Sequence, residues 1–114
     1  MTTGERGECI AADYLTQHGY TILSCNYHTR YGEIDIICAD TRYLVFVEVK
    51  TRSNTKFGEP CEAVTIAKQQ KIILSAQKWL MEHPTDLQPR FDVVEVRKLG
   101  IKYHVNHIVN AFEV

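Results

Sequence analysis

Two carboxylates and one lysine have residue types and a spacing that suit chemistry on a phosphate. Asp35 lies between two isoleucines in GEIDII, and Glu48 and Lys50 close the apolar run YLVFVEVKTR. Every second side chain of a strand shares a face, so Glu48 and Lys50 point the same way. Two neighbouring carboxylates repel each other, and a divalent cation between them removes the conflict. Hard oxygen ligands with open positions favour Mg²⁺ or Mn²⁺.

The register of a hairpin brings the two acids together. GEIDIICA and YLVFVEVKT predict strands joined near DTR. A loop centred between Thr41 and Arg42 sets Asp35 opposite Glu48, and opposed side chains have Cβ atoms ~4.5–5.5 Å apart. Lys50 follows one pleat further on the same face, where a cation can orient water or offset charge on a phosphate.

A third acid comes from the first predicted helix. Glu8 shares the helix face of Ala11, Ala12 and Leu15, so we expect it to point toward the sheet. Each charged residue also has a structural explanation. An acid in a strand can face solvent, a Glu-x-Lys pair can guard a sheet edge, and a glutamate in a first helical turn can complement the helix dipole. One register assumption brings Asp35, Glu48 and Lys50 together, which favours the functional interpretation.

The elements that must position these residues follow the order α-β-β-β-α-β-β. Gly19 ends the first helix, and the second is capped by Thr65 and stopped by Pro84. SNTKFGEPCEA is predicted as a loop before the second helix. The predicted elements are, in order, GERGECIAADYLTQHG, YTILSCNY, GEIDIICA, YLVFVEVKT, TIAKQQKIILSAQKWLMEH, RFDVVEVRK and IKYHVNHIV. This pattern predicts an α/β (α+β) fold with a mixed central sheet flanked by helices.

Composition bounds the class of protein. The 114 residues predict a single domain spanning 1–114, with 45% hydrophobic and 24% charged residues, as in ordinary globular chains. No apolar run approaches the ~20 residues of a membrane helix. The start MTTGERGECI lacks an apolar signal region, so we expect a cytoplasmic protein. The net charge of −1 is the sum of an acidic part, 1–48, a basic part, 49–78, and a nearly neutral remainder. This division is either a chance fluctuation or the sign of a metal pocket beside a phosphate-binding surface.

These motifs resemble a known superfamily. Asp35 followed by Glu48-x-Lys50 on the next strand resembles the PD-(D/E)xK nucleases, and the helical Glu8 is similar to the archaeal Holliday junction resolvase branch. The proline usual before the aspartate is Ile34 here. More closely, GERGECIAADYL, YGEIDII, VFVEVKTR and RFDVV resemble the YraN-like family of small bacterial proteins. The resemblance implies a restriction-endonuclease-like αβββαβ core.

The resemblance also implies roles for individual residues. It makes Asp35 and Glu48 the metal-binding acids and Lys50 the catalytic lysine, with Mg²⁺ or Mn²⁺ as cofactor. Glu8 is the helical acid and a further candidate ligand of the ion. The peptide carbonyl of Val49 would be a further metal ligand. Nucleases of the RecB-like branch carry a glutamine in the corresponding second helix, which points to Gln69 as a catalytic residue.

Basic and aromatic residues suggest a nucleic-acid surface. The second helix divides into an apolar face (Gln69, Ile72, Ile73, Ala76, Leu80) and a polar face (Lys68, Lys71, Ser75, Lys78, Glu82). The lysines are either a solvated face or a phosphate-binding stripe, with Lys68 and Lys71 as its candidates. Arg30 and Tyr31 could grip a phosphate and stack on a base. Arg52 and Lys56 could do the same, unless they belong to an ordinary surface loop.

Two functions follow from the sequence. The first is a metal-dependent DNA endonuclease that hydrolyses phosphodiester bonds, on branched or otherwise structured DNA. The second is a non-catalytic nucleic-acid-binding or adaptor module that retains the nuclease fold. Resolvases of this fold act as two-fold dimers, and that analogy alone suggests a homodimer.

Overall fold

The elements follow one another in the predicted order. The computed structural model describes residues 2–52 and 64–113. Its elements are α1 (Thr3–Gln17), β1 (Thr21–Thr29), β2 (Gly32–Ala39), β3 (Tyr43–Arg52), α2 (Ile66–Glu82), β4 (Gln88–Leu99) and β5 (Lys102–Phe112). The order α-β-β-β-α-β-β is therefore confirmed. The segment SNTKFGEPCEA, predicted as a loop, lies outside the described residues.

The strands form one mixed sheet in the order β1-β2-β3-β4-β5. Short connections join β1 to β2, β2 to β3 and β4 to β5, and these pairs are antiparallel. The strands β3 and β4 are parallel, and the connection between them contains α2, since a parallel pair needs a long crossover. The mixed sheet with flanking helices is confirmed and is compatible with a restriction-endonuclease-like core.

The predicted hairpin register is also confirmed. The paired residues of β2 and β3 run from Ile36 opposite Val47 to Ala39 opposite Leu44. The pairing ends one position before Asp35 and Glu48, which this register would set opposite each other.

Both helices begin and end near the predicted positions. Thr2 and Glu5 form a capping box at the start of α1, and Gly19 follows its end with φ +91°. Thr65 caps α2 by accepting a hydrogen bond from the backbone N–H of Lys68. The helix ends at Glu82, before Pro84, whose ring cannot continue a helix.

The core has two halves, one on each face of the sheet. Leu44 and Phe46 pack on the side of α2, whereas Val45 and Val47 pack on the side of α1. This alternation confirms that β3 is buried on both faces. Its side chains can therefore be polar only near an end of the strand, where Glu48 and Lys50 lie.

One prediction about α2 is wrong. Ser75, expected on the exposed polar face, is fully buried, and its Oγ lies 2.8 Å from Oγ1 of Thr29. The end of β1 covers this side of the helix, and Trp79 is buried beside Tyr27. The exposed polar face is therefore narrower than predicted and contains Lys68, Lys71, Lys78 and Glu82.

In the described parts of the chain, neither helix is long and apolar enough to cross a membrane.

Candidate active site

Asp35 lies where β2 and β3 separate. Their backbone pairing reaches Ile36 and Val47. Beyond that pair, the backbone N–H of Val49 donates to Oδ2 of Asp35 at 2.8 Å. The carboxylate thus accepts a backbone N–H that a carbonyl of the neighbouring strand would otherwise accept. This bond fixes Asp35 where the β2–β3 pairing ends. Burial raises the pKa of Asp35; the Val49 hydrogen bond opposes this shift, and the nearby charge of Glu33 adds to it.

The face presented by β2 changes at Asp35. Ile34 packs with the residues on the α2 side, but Ile36 packs with those on the α1 side. Regular alternation would put both on one face. Across the β1–β2 pairing, the position opposite Asp35 is Asn26, whose φ of +54° is left-handed. This local distortion lets Asp35 interact with groups on both sides of the sheet.

Glu48 is a buried carboxylate with one unpartnered oxygen. The residue is 7% exposed, and its Oε1 lies 3.5 Å from Nζ of Lys68. Its Oε2 is buried and has no hydrogen-bond partner among the residues described. Burial and the charge of Asp35 raise the pKa of Glu48 to about 7, although Lys68 and Lys50 oppose the shift. The two acids therefore interact directly, as the register predicts.

Two lysines approach this pair from different elements. Lys50, half-buried on β3, lies opposite Glu95 of β4 in the parallel register. Lys68 reaches Glu48 from the first turn of α2, although the sequence suggested only a role on the nucleic-acid surface. No local signal could have placed Lys68 here, because its position depends on how α2 packs on the sheet.

The helix α1 brings Glu8 to the other side of Asp35. A Cβ on the adjacent Gly7 would overlap the side chain of Thr51, so α1 approaches the end of β3 very closely. Glu8 is half-buried, and burial together with the charge of Asp35 raises its pKa. Glu8 and Asp35 line a common pocket of about 240 Å³. The prediction that Glu8 points toward the sheet is confirmed, and it lies beside Asp35. Glu48 contacts α2 on the other face, so Glu8 does not join it there.

Sequence reasoning missed two residues beside Glu8. With its amide nitrogen facing the acids, Asn26 donates to Oε2 of Glu8 at 3.2 Å and to Oε1 of Glu33 at 2.8 Å. Glu33 lies on β2 two residues before Asp35, and this spacing was the available signal. Asn26 offered none, because its left-handed backbone is not encoded by a recognisable motif.

The structure places Gln69 and Val49 without testing their predicted roles. The side-chain nitrogen of Gln69 donates to the carbonyl of Val64 at 2.9 Å, so it supports the start of α2. The N–H of Val49 is bound to Asp35, and the predicted metal ligand is its carbonyl. Catalysis by Gln69 and metal binding by Val49 stay predictions.

The predicted nucleic-acid contacts are spread over several places. Arg30 donates to the hydroxyl of Tyr31 at 2.6 Å, and both line a groove beside α2. Lys71 is exposed on α2, and Arg52 ends β3 half-buried. Lys56 lies outside the described residues.

The donor set suits a hard divalent cation held by few protein ligands. Within residues 2–52 and 64–113, no three His, Cys, Asp or Glu side chains form a metal-binding group. Mg²⁺ is usually bound by one or two carboxylates and keeps positions for water and substrate phosphates. Asp35 and Glu48 supply that pair, and the unpartnered oxygen of Glu48 is a buried acceptor that a cation would satisfy. The residues therefore fit Mg²⁺ or Mn²⁺.

Together, the mixed αβ core and the Asp-Glu-x-Lys arrangement define a PD-(D/E)xK-like, nuclease-type domain. Residues 7–96 match the uncharacterised protein family UPF0102, and the chain belongs to this family. A UPF0102 protein of Alkaliphilus oremlandii is 49% identical over 112 residues, covering 96% of both chains. Another, from Syntrophotalea carbinolica, is 48% identical and covers 100% of this chain and 94% of its own. The resemblance to the YraN-like family is confirmed.

The raised pKa of Glu48 predicts a pH-dependent stability in metal-free protein. Its pKa is about 7 in the folded state against an ordinary value of 4.5. The folded state therefore binds more protons between these values, and Glu48 destabilises it increasingly as pH rises. Glu48→Gln should match wild type near pH 4.5 and be more stable by about 2–3 kcal/mol above pH 7.

Urea denaturation in chelator from pH 4.5 to 8 measures this difference. Glu82→Gln is the matched control, because Tyr27 and Lys78 hold the pKa of the exposed Glu82 below its usual range. Its effect should have the opposite sign, with stability lost at neutral rather than acidic pH. A Glu48→Gln advantage that does not change with pH would contradict the prediction.

Proposed function

We propose that the protein is a Mg²⁺- or Mn²⁺-dependent DNA endonuclease that hydrolyses phosphodiester bonds. The observation that carries the proposal is the Asp35–Glu48 pair. One acid is fixed by a backbone N–H, and the other has a buried oxygen without a partner among the residues described. Buried carboxylates with a structural role normally have hydrogen-bond partners, so this arrangement favours a cation-binding site.

Each residue has a distinct part in this function. Asp35 and Glu48 would hold the cation, and the Val49 carbonyl would complete the protein ligands. The cation would supply Lewis-acid stabilisation and a more acidic water. Lys50 orients the attacking water and offsets charge that develops on the phosphate. Glu8 adds negative charge on the α1 side of Asp35 and so strengthens the attraction for a cation.

The DNA would lie across the end of the sheet and along α2. Arg30, Lys71 and Arg52 would contact phosphates, and Tyr31 would stack on a base. Branched or structured DNA is the proposed substrate class, by analogy with resolvases. The same analogy suggests a homodimer, since a four-way junction offers paired strands to cut.

A second function is supported by a specific observation. Lys68 already places a positive charge 3.5 Å from Glu48, and no group of three potential ligand side chains is gathered in the part of the chain described. In a binding or adaptor module that retains the nuclease fold, Lys68 alone would balance the charge of Glu48, and no metal ion would be needed. The two functions differ in whether the acids bind a metal and whether DNA is cut.

The test is incubation with single-stranded, duplex, flap and four-way-junction DNA in the presence of Mg²⁺ or Mn²⁺. The endonuclease should cut at least one structured substrate, and chelator should stop the cleavage. Binding of DNA without cleavage of any substrate would support the adaptor function instead.

Lys68 should compete with a cation at the acids. Its charge lowers the pKa of both Glu48 and Asp35. Lys68→Met removes this charge, so at pH 8 it should bind Mn²⁺ about threefold to tenfold more tightly. Isothermal titration calorimetry measures the affinity.

The matched control is Lys71→Met, one helical turn along the exposed face, which should leave the Mn²⁺ affinity unchanged within about twofold. Weaker Mn²⁺ binding in Lys68→Met would show that Lys68 supports the ion instead of competing with it.

A further inference from the structure

A groove separates the β1–β2 turn from the outer side of α2. It has a volume of about 700 Å³, within the range of ligand-binding clefts. Its lining combines polar and apolar groups, mainly Arg30, Tyr31, Leu74, Gln77, Lys78 and Met81. Leu74 is 41% exposed and Met81 is 83% exposed, which leaves apolar side chains uncovered on a mostly polar helix face.

The turn contributes a preformed pair of side chains. Arg30 donates to the Tyr31 hydroxyl at 2.6 Å, and its guanidinium lies 4.8 Å from the centre of the same ring. The two side chains restrain each other, so little ordering is needed when a ligand arrives. An aromatic ring next to an arginine offers one surface for a base and a charge for a phosphate.

One helix, α2, contributes side chains both to the groove and to the acidic site. Lys68 contacts Glu48, and Lys71 lies against the turn, 3.6 Å from where a Cβ of Gly32 would be. At 1.5 Å per residue, Leu74 and Met81 lie ~9 Å and ~20 Å along the helix from Lys68.

We propose that this groove binds an unpaired strand of DNA that extends from the phosphate at Asp35 and Glu48. The inference rests on the proposed nuclease function and specifies its substrate class. In a duplex the base faces are stacked on one another and unavailable to Tyr31, Leu74 and Met81. In an unpaired strand the faces are free, and aromatic and apolar side chains bind them without regard to sequence.

The test measures DNA binding without cleavage. Fluorescence anisotropy in chelator compares a single-stranded oligonucleotide with a blunt duplex of the same length. Wild type should prefer the single strand. Tyr31→Ala combined with Met81→Ala should weaken single-strand binding by roughly five- to a hundredfold and change duplex binding by less than about twofold. Tyr31→Phe keeps the ring and should retain most of the affinity.

The matched control is Ile101→Ala, which removes an apolar side chain that is 94% exposed at the β4–β5 turn, away from the groove. It should leave both affinities unchanged. Circular dichroism would check that each variant is folded. Equal binding of single strand and duplex by wild type, or unchanged single-strand binding by the double variant, would overturn the inference.

The binding and cleavage results together distinguish failure of the groove proposal from failure of the nuclease proposal. Single-strand binding that depends on Tyr31 and Met81 supports the groove even if wild type cuts no DNA with Mg²⁺ or Mn²⁺. Metal-dependent cleavage together with unchanged single-strand binding in the double variant would support the nuclease function and contradict strand binding in the groove.

Discussion

Asp35→Asn is expected to abolish metal-dependent cleavage while DNA binding persists or becomes tighter. The substitution keeps the shape of the side chain but removes a negative charge that attracts the cation and repels the phosphate. An amide oxygen can still accept the hydrogen bond that Asp35 takes from the Val49 N–H at 2.8 Å, so the end of the hairpin should remain folded. Cleavage of flap and junction DNA and calorimetry with Mn²⁺ measure the two effects.

In the same assays, Lys50→Ala distinguishes the positioning of the attacking water from the binding of the metal ion. Lys50 would act on water and the phosphate, so this variant should bind Mn²⁺ but cut about 10²–10³-fold more slowly. Asp86→Asn and Lys102→Ala make the same chemical changes at exposed positions and serve as matched controls. Equal cleavage by Asp35→Asn and wild type would remove the nuclease proposal.

Asp92→Ala should lower the free energy of unfolding by about 3–5 kcal/mol. Asp92 is fully buried on β4 and accepts hydrogen bonds from Arg90 at 2.9 and 2.8 Å and from the backbone of Asn110 at 3.0 Å. The ring of His107 lies 2.7 Å from the same carboxylate. Burial alone would raise the pKa of Asp92, but the bonds to His107, Arg90 and Asn110 hold it below its usual range.

The large loss of stability comes from Arg90, which keeps its charge when Asp92 is removed. Arg90 is 8% exposed, so removing Asp92 strands a buried guanidinium, although its bond to the Tyr20 hydroxyl remains. Urea denaturation measures the loss. The double variant Arg90→Met with Asp92→Ala removes both charges and should cost less than the sum of the two single variants. A loss below about 1 kcal/mol in Asp92→Ala would show that the network does not stabilise the fold.

The sequence alone determined the elements and the pairing of the two acids. Strand alternation placed Glu48 and Lys50 on one face. The short DTR connection fixed the hairpin register, whose paired residues end one position before Asp35 and Glu48. Thr65 and Gly19 marked helix ends correctly. These features depend on residues close together in the chain, whose backbone geometry follows from local periodicity and turn chemistry.

Tertiary structure decided the contacts that local patterns do not encode. Ser75 is buried because the end of β1 covers α2, and Lys68 reaches Glu48 because α2 packs with its first turn beside β3. The change of face at Asp35 lies opposite the left-handed Asn26 of the neighbouring strand, so it involves two strands at once. The Asp92 network joins β4 to β5 and to Tyr20. Each contact links residues far apart in sequence, so it depends on how whole elements pack, and the period of a single segment carries no information about that packing.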